Sequence, residues 1–112
     1  MHSQIIERLK RGETIKNFRE SGNSMTPVIK HREPVTIAPV DVSKLERGDI
    51  VLAKVRGHFY THRVNAIQGD RVQIANNHGH VNGWTNFRHV YGIVIEVSGK
   101  PISSAKLKIK NS

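Results

Sequence analysis

With 112 residues, 37% hydrophobic and 24% charged, the chain has material for one modest globular core and too little for two. It has no cysteine, which excludes disulfides and thiolate metal sites. Eighteen Lys and Arg against nine Asp and Glu leave a net charge of +9 with the seven histidines neutral, a balance that either draws polyanions or simply keeps a small protein in solution.

In chain order, Ile5, Ile6 and Leu9 stand at helical spacing behind Ser3, with Gly12 as a stop. This predicts a short amphipathic helix within residues 1–12. The first residues lack the apolar run of a signal peptide, and no stretch approaches the roughly 20 apolar residues of a spanning helix. A soluble, cytoplasmic protein without a membrane anchor is expected. From Glu13 onward the pattern shifts to short β-rich runs: Thr14–Arg19, Pro34–Pro39, Ile50–Val55, His58–Ile67, Arg71–Ala75 and Tyr91–Val97, with a last strand at Lys106–Ile109. Turn residues break them at Gly22-Asn23, Arg47-Gly48-Asp49, Arg56-Gly57, Gly69-Asp70 and Asn82-Gly83. The chain therefore reads as a single, mostly β domain, a small coiled antiparallel sheet or half-open barrel with a short N-terminal helix.

The stretch from Asn76 to Gly83 reads as a loop, its His78 and His80 solvated rather than joined with His89 around a metal, since no carboxylate or cysteine stands near enough to complete a site. No metal and no cofactor is expected. Trp84, the only tryptophan, is expected to pin this loop to the sheet. Residues 98–112 form a basic tail in which Lys100, Lys106, Lys108 and Lys110 occur with no acid among them. Alternation with Leu107 and Ile109 would set three ammonium groups on one face of a strand.

Two segments carry chemistry. Ser21-Gly22-Asn23-Ser24-Met25-Thr26-Pro27 sets a hydroxyl on a glycine-bearing turn, and Tyr60-Thr61-His62-Arg63-Val64 sets an imidazole inside an alternating strand. Strand periodicity puts Tyr60, His62 and Val64 on one face and Phe59, Thr61 and Arg63 on the other. A serine is a poor nucleophile until a positioned base takes its proton, so Ser24 and His62 are the candidate pair.

These segments resemble blocks of the serine peptidases that include type I signal peptidases and LexA-type self-cleaving repressors. Ser21 to Pro27 is similar to the nucleophile block, Gly48-Asp49-Ile50-Val51 to the block after it, Tyr60 to Val64 with Gly69-Asp70 to the block of the general base, and Gly92-Ile93-Val94 to a closing strand. The resemblance implies Ser24 as nucleophile and His62 as base, where most bacterial members carry lysine. Histidine begins near about 6.5 and needs far less desolvation than lysine to act as a base. The histidine branch of the family usually orients its imidazole with an aspartate; Asn76 is expected to stand there, and in a Ser-His-Asp enzyme Asp-to-Asn costs about 10⁴ in turnover. Gly22 replaces a serine that some members use as an oxyanion donor, leaving backbone N–H groups near Ser24, with Ser21 and Asn23 as further orienting or oxyanion candidates. Met25 and Pro27 are candidates for substrate contact, Met25 also reading as core.

The resulting expectation is a minimal serine peptidase that hydrolyses a peptide bond in a peptide or protein substrate bound as an added strand. No Ala-Gly pair occurs, which speaks against self-cleavage of the repressor type, and compactness suggests a phage or mobile-element context. The alternative is an idle member of the fold that binds nucleic acid or an acidic partner through Lys100, Lys106, Lys108 and Lys110.

Overall fold

A computed structural model describes residues 2–111. The first element is helix α1 (His2–Lys10), which turns Ile6 and Leu9 into the core and ends at Gly12, a residue with φ of +88° that a glycine adopts without strain. The helix starts ahead of Ser3, which lies inside its first turn and does not cap it.

Eight strands follow: β1 (Ile15–Phe18), β2 (Val35–Ala38), β3 (Ile50–Val55), β4 (His58–Gln68), β5 (Arg71–Ala75), β6 (Val81–Asn86), β7 (Val90–Val97) and β8 (Lys100–Pro101). They form one antiparallel sheet in the order β1-β2-β7-β3-β4-β5-β6, with β8 on β7. β3 and β4 are joined at Arg56-Gly57, where φ is +52° and +83°. Positive φ at both central residues gives a two-residue loop the twist that its strands require.

The central strands are buried on both faces. Along β3, Val51, Ala53 and Val55 belong to one apolar cluster, while Ile50 and Leu52 belong to a second. α1 covers the second cluster through Ile6 and Leu9. Gly92 of β7 lies under this helix. A Cβ there would stand 2.6 Å from Ile37 Cγ2 and 3.2 Å from Leu9 Cδ1, so glycine lets helix and sheet approach.

The other face is closed by the sheet curling on itself. Thr85 Oγ1 on β6 donates to the Lys54 carbonyl of β3 at 2.8 Å, across a gap that β4 and β5 span in the sheet order. The result is a mostly β domain that curls without closing into a barrel.

Two expectations are corrected. Residues 81–83, expected within the loop, belong instead to strand β6: Val81, Gly83 and Thr85 pair with Ala75, Ile74 and Val72 of β5, with a register shift at Asn82, and this tertiary pairing overrides the turn-forming tendency of Asn82-Gly83. Gly83 has a φ of +137°, which an L side chain rarely adopts, and a Cβ there would stand 3.2 Å from Val55 Cγ1. Trp84 accordingly sits on a strand, under the Arg71 guanidinium.

The second correction concerns the tail. Residues Ala105–Lys108 form a 3-10 turn and not a strand, with Ile109 bridging Val40. Lys108 is 6% exposed, and its ammonium donates to both Asp49 carboxylate oxygens at 2.7 and 2.9 Å and meets Glu46 at 2.9 Å. Lys106 faces Glu96 at 3.4 Å. The three-lysine face does not form, because a sheltered carboxylate takes one of its members inward.

Removing one partner of a buried ion pair strands the other. Lys108→Ala is therefore expected to lower stability by about 3–5 kcal/mol in urea unfolding, whereas Lys106→Ala should stay within about 0.5 kcal/mol. Gly92→Ala should cost about 1–3 kcal/mol by overpacking beneath α1.

Candidate active site

Ser24 belongs to an exposed turn between β1 and β2, and His62 lies on β4 opposite Val51 of β3. The turn is short of regular pairing of its own. Thr26 closes it locally by donating through N and Oγ1 to the Asn23 carbonyl, at 3.2 and 2.8 Å. The Thr26–Pro27 peptide is cis.

What positions the turn is the connection between β5 and β6. Asn77 donates its backbone N–H to the Ser24 carbonyl at 2.9 Å and its side-chain amide to the Met25 carbonyl at 3.1 Å. His78 Nε2 lies 2.9 Å from the Asn23 carbonyl and 3.1 Å from Thr26 Oγ1. Below the turn, Met25 is 4% exposed and anchors it in the second apolar cluster.

The serine and the histidine meet. Ser24 Oγ stands 3.0 Å from His62 Nε2, and His62 Nδ1 stands 2.7 Å from Asn82 Oδ1. An amide oxygen only accepts, so Nδ1 carries the ring proton of the neutral imidazole and Nε2 is left to accept from the serine hydroxyl. His62 is 8% exposed. Its burial disfavours the charged ring and pushes its pKa below the ordinary 6.5, against the opposing pull of the Asn82 hydrogen bond and the Glu20 charge.

Asn76 does not hold the imidazole. Its Oδ1 accepts from the His78 and His80 N–H groups at 2.8 and 3.0 Å and so shapes the tight connection that grips the serine turn. The residue on Nδ1 is Asn82, hidden in the sequence by the turn-forming dipeptide Asn82-Gly83. No periodic signal marked it: β6 shifts register against β5 between Ile74 and Ala75, which leaves Asn82 without a paired residue, and strict alternation would turn Asn82 away from the buried Gly83 and Thr85.

A cleft of about 360 Å³ opens beside the pair. Phe18, Met25, Ile29, Val35 and Phe59 supply its apolar walls, and Glu20, Glu33 and Lys30 its charge. Ser21 and Gly22 also line it, with the Gly22 N–H engaged by His31 Nδ1 at 2.8 Å; Asn23 and Pro27 do not line it. The backbone N–H groups of Ser24 and Met25 donate to no group among the described residues. Lys100, Lys106, Lys108 and Lys110 are all absent from this cleft.

Among the described residues, no helix is long and apolar enough to cross a membrane. No curated protein and no solved structure matches the chain. The family model of the Peptidase S24-like proteins matches residues 3–86, a span that runs from α1 to the end of β6 and takes in Ser24, His62 and Asn82. The chain, with its serine-peptidase-like fold, belongs to the Peptidase S24-like family.

Proposed function

We propose that this protein is a serine endopeptidase in which Ser24 is the nucleophile and His62 the general base. The observation that carries the reading is the continuous hydrogen-bonded line from Ser24 Oγ through His62 to Asn82, at 3.0 and 2.7 Å. Ser24 is exposed at the cleft while its partner is sheltered, which suits a hydroxyl that must reach a substrate and a base that must stay neutral.

In the proposed mechanism His62 Nε2 takes the Ser24 proton as Oγ attacks the peptide carbonyl carbon. The N–H groups of Ser24 and Met25 receive the oxyanion, each such donor being worth about 2.7–4 kcal/mol where one has been removed. His62 then returns the proton to the leaving amine, and water, activated by the same nitrogen, releases the acyl group. Asn82 keeps the ring in the tautomer that this sequence needs. It holds the imidazole by a neutral hydrogen bond and gives the imidazolium no countercharge, so turnover should be slow beside that of an Asp-supported histidine. The substrate is a peptide or protein, and the apolar walls of the cleft favour an extended segment with an apolar side chain next to the cut bond.

A serine-directed fluorophosphonate should modify Ser24, as read by mass mapping. Ser24→Ala should abolish both labelling and peptide hydrolysis while leaving the unfolding midpoint nearly unchanged, since the side chain is exposed. Labelling of a different serine would overturn the assignment.

The base must be neutral to act, and His62 is held below the ordinary 6.5. The labelling rate should therefore rise with pH along a limb whose midpoint lies below 6.5 and be on its plateau at neutral pH. Asn82→Asp adds a negative charge at Nδ1. It should shift that limb to higher pH and raise the plateau by at least about tenfold, because a carboxylate stabilises the imidazolium as it forms. A pH profile unmoved by Asn82→Asp would remove Asn82 from the mechanism.

A further inference from the structure

A second cleft, of about 550 Å³, lies between the C-terminal end of α1, the turn at Phe87–His89 and the C-terminal segment. It shares no lining residue with the cleft beside Ser24. Lys10, Arg11, Arg88 and Lys110 converge on it from three separate parts of the chain, and no carboxylate is among its lining residues. Lys10, Arg88 and Lys110 are exposed and make no ion pair among the described residues. Arg11 shares its guanidinium with Glu13 at 3.1 Å. The neighbouring acids are largely engaged: Glu13 by Arg8 and Arg11, Asp41 by Ser43, by Lys44 at 4.0 Å and by the more distant charge of Lys110.

The helix macrodipole accounts for cations at the end of α1, at Lys10 and Arg11. It does not account for Arg88 and Lys110, which arrive from other elements and add like charge to the same concavity. Phe87 and Tyr91, both half-buried, line the cleft as well. Cations and aromatic faces in one groove suit a ligand that carries phosphates and unstacked bases together. A duplex keeps the faces of its bases stacked inside, out of reach of aromatic side chains, and a bilayer offers phosphates without bases.

We propose that this cleft is a binding site for single-stranded nucleic acid, with Lys10, Arg88 and Lys110 on the backbone phosphates and Phe87 and Tyr91 against the bases. The site differs from the basic C-terminal face expected from sequence: Lys108 is internal, Lys106 is paired, and only Lys110 of that group takes part. It is independent of the peptidase reading, because the two clefts are separate.

The test is fluorescence anisotropy of a short labelled oligothymidylate with the full chain, from about 50 mM to about 200 mM NaCl. The Lys10→Gln, Arg88→Gln, Lys110→Gln triple variant is compared with a Lys16→Gln, Arg47→Gln, Lys100→Gln triple, which removes the same charge from exposed positions outside the cleft. The cleft triple should bind about tenfold or more weakly at the lowest salt, and its salt slope should fall by about 2, three single-strand contacts at about 0.7 each. The control triple should change little in slope. Equal losses in the two triples would reduce the effect to overall charge and overturn the site. So would absence of binding by the intact protein, or binding of polyphosphate or anionic vesicles at equal charge as tight as that of the oligonucleotide, since either competitor lacks the bases.

Discussion

A buried imidazole must have both ring nitrogens satisfied, and in this molecule that requirement ties together three parts of the chain distant in sequence. His62 sits on the interior of the sheet at β4 with its Nδ1 on Asn82 of β6 and its Nε2 on Ser24 of the β1–β2 connection. Neither partner is a sheet neighbour of β4. Asn82 comes within reach because β5 and β6 fold back over the core, a curl held by the Thr85 hydroxyl on the Lys54 carbonyl. Ser24 comes within reach because the β5–β6 connection clasps its turn through Asn77 and His78.

The same curl organises the packing. Strands buried on both faces need two covers; here α1 supplies one and the returning strands the other. Gly92 and Gly83 mark the places where these covers press closest, one beneath the helix and one where β6 meets Val55. Gly92 is demanded by approach distance, Gly83 by its φ of +137° together with the closeness of Val55. At the far end Lys108 serves Asp49, beside the Gly48-Asp49 turn that leads into β3. The Gly48 N–H in turn donates to the Val64 carbonyl, which binds that turn to the strand carrying His62. The charged tail is in this way part of the scaffold, although its composition alone suggests a solvated ribbon.

The charge distribution follows from these internal uses. Of the four tail lysines, two are held by carboxylates, so the net charge of +9 is not expressed where the sequence is most basic. Three cations without an ion pair among the described residues, Lys10, Arg88 and Lys110, meet instead at the cleft where α1 ends, from places far apart in the chain. The cleft beside Ser24 has the opposite character, apolar walls with two glutamates and one lysine.

Local pattern was enough for the fold class, the helix, most of the strands and the family: helical spacing at Ile5, Ile6 and Leu9, a nearly continuous apolar run in Ile50–Val55, alternation in His58–Ile67, and glycine-bearing turns between. It also singled out Ser24 and His62, whose flanking residues form recognisable blocks. Other features depended on partners that no local window contains. Asn82 rather than Asn76 meets the imidazole because β6 pairs with β5 despite a turn-forming dipeptide and shifts register at Asn82. Lys108 turned inward because a sheltered Asp49 required a cation, and the tail then closed into a 3-10 turn instead of a strand. Only the tertiary structure could decide these, since hydrogen-bond satisfaction and ion pairing in a core are set by which segments meet across space.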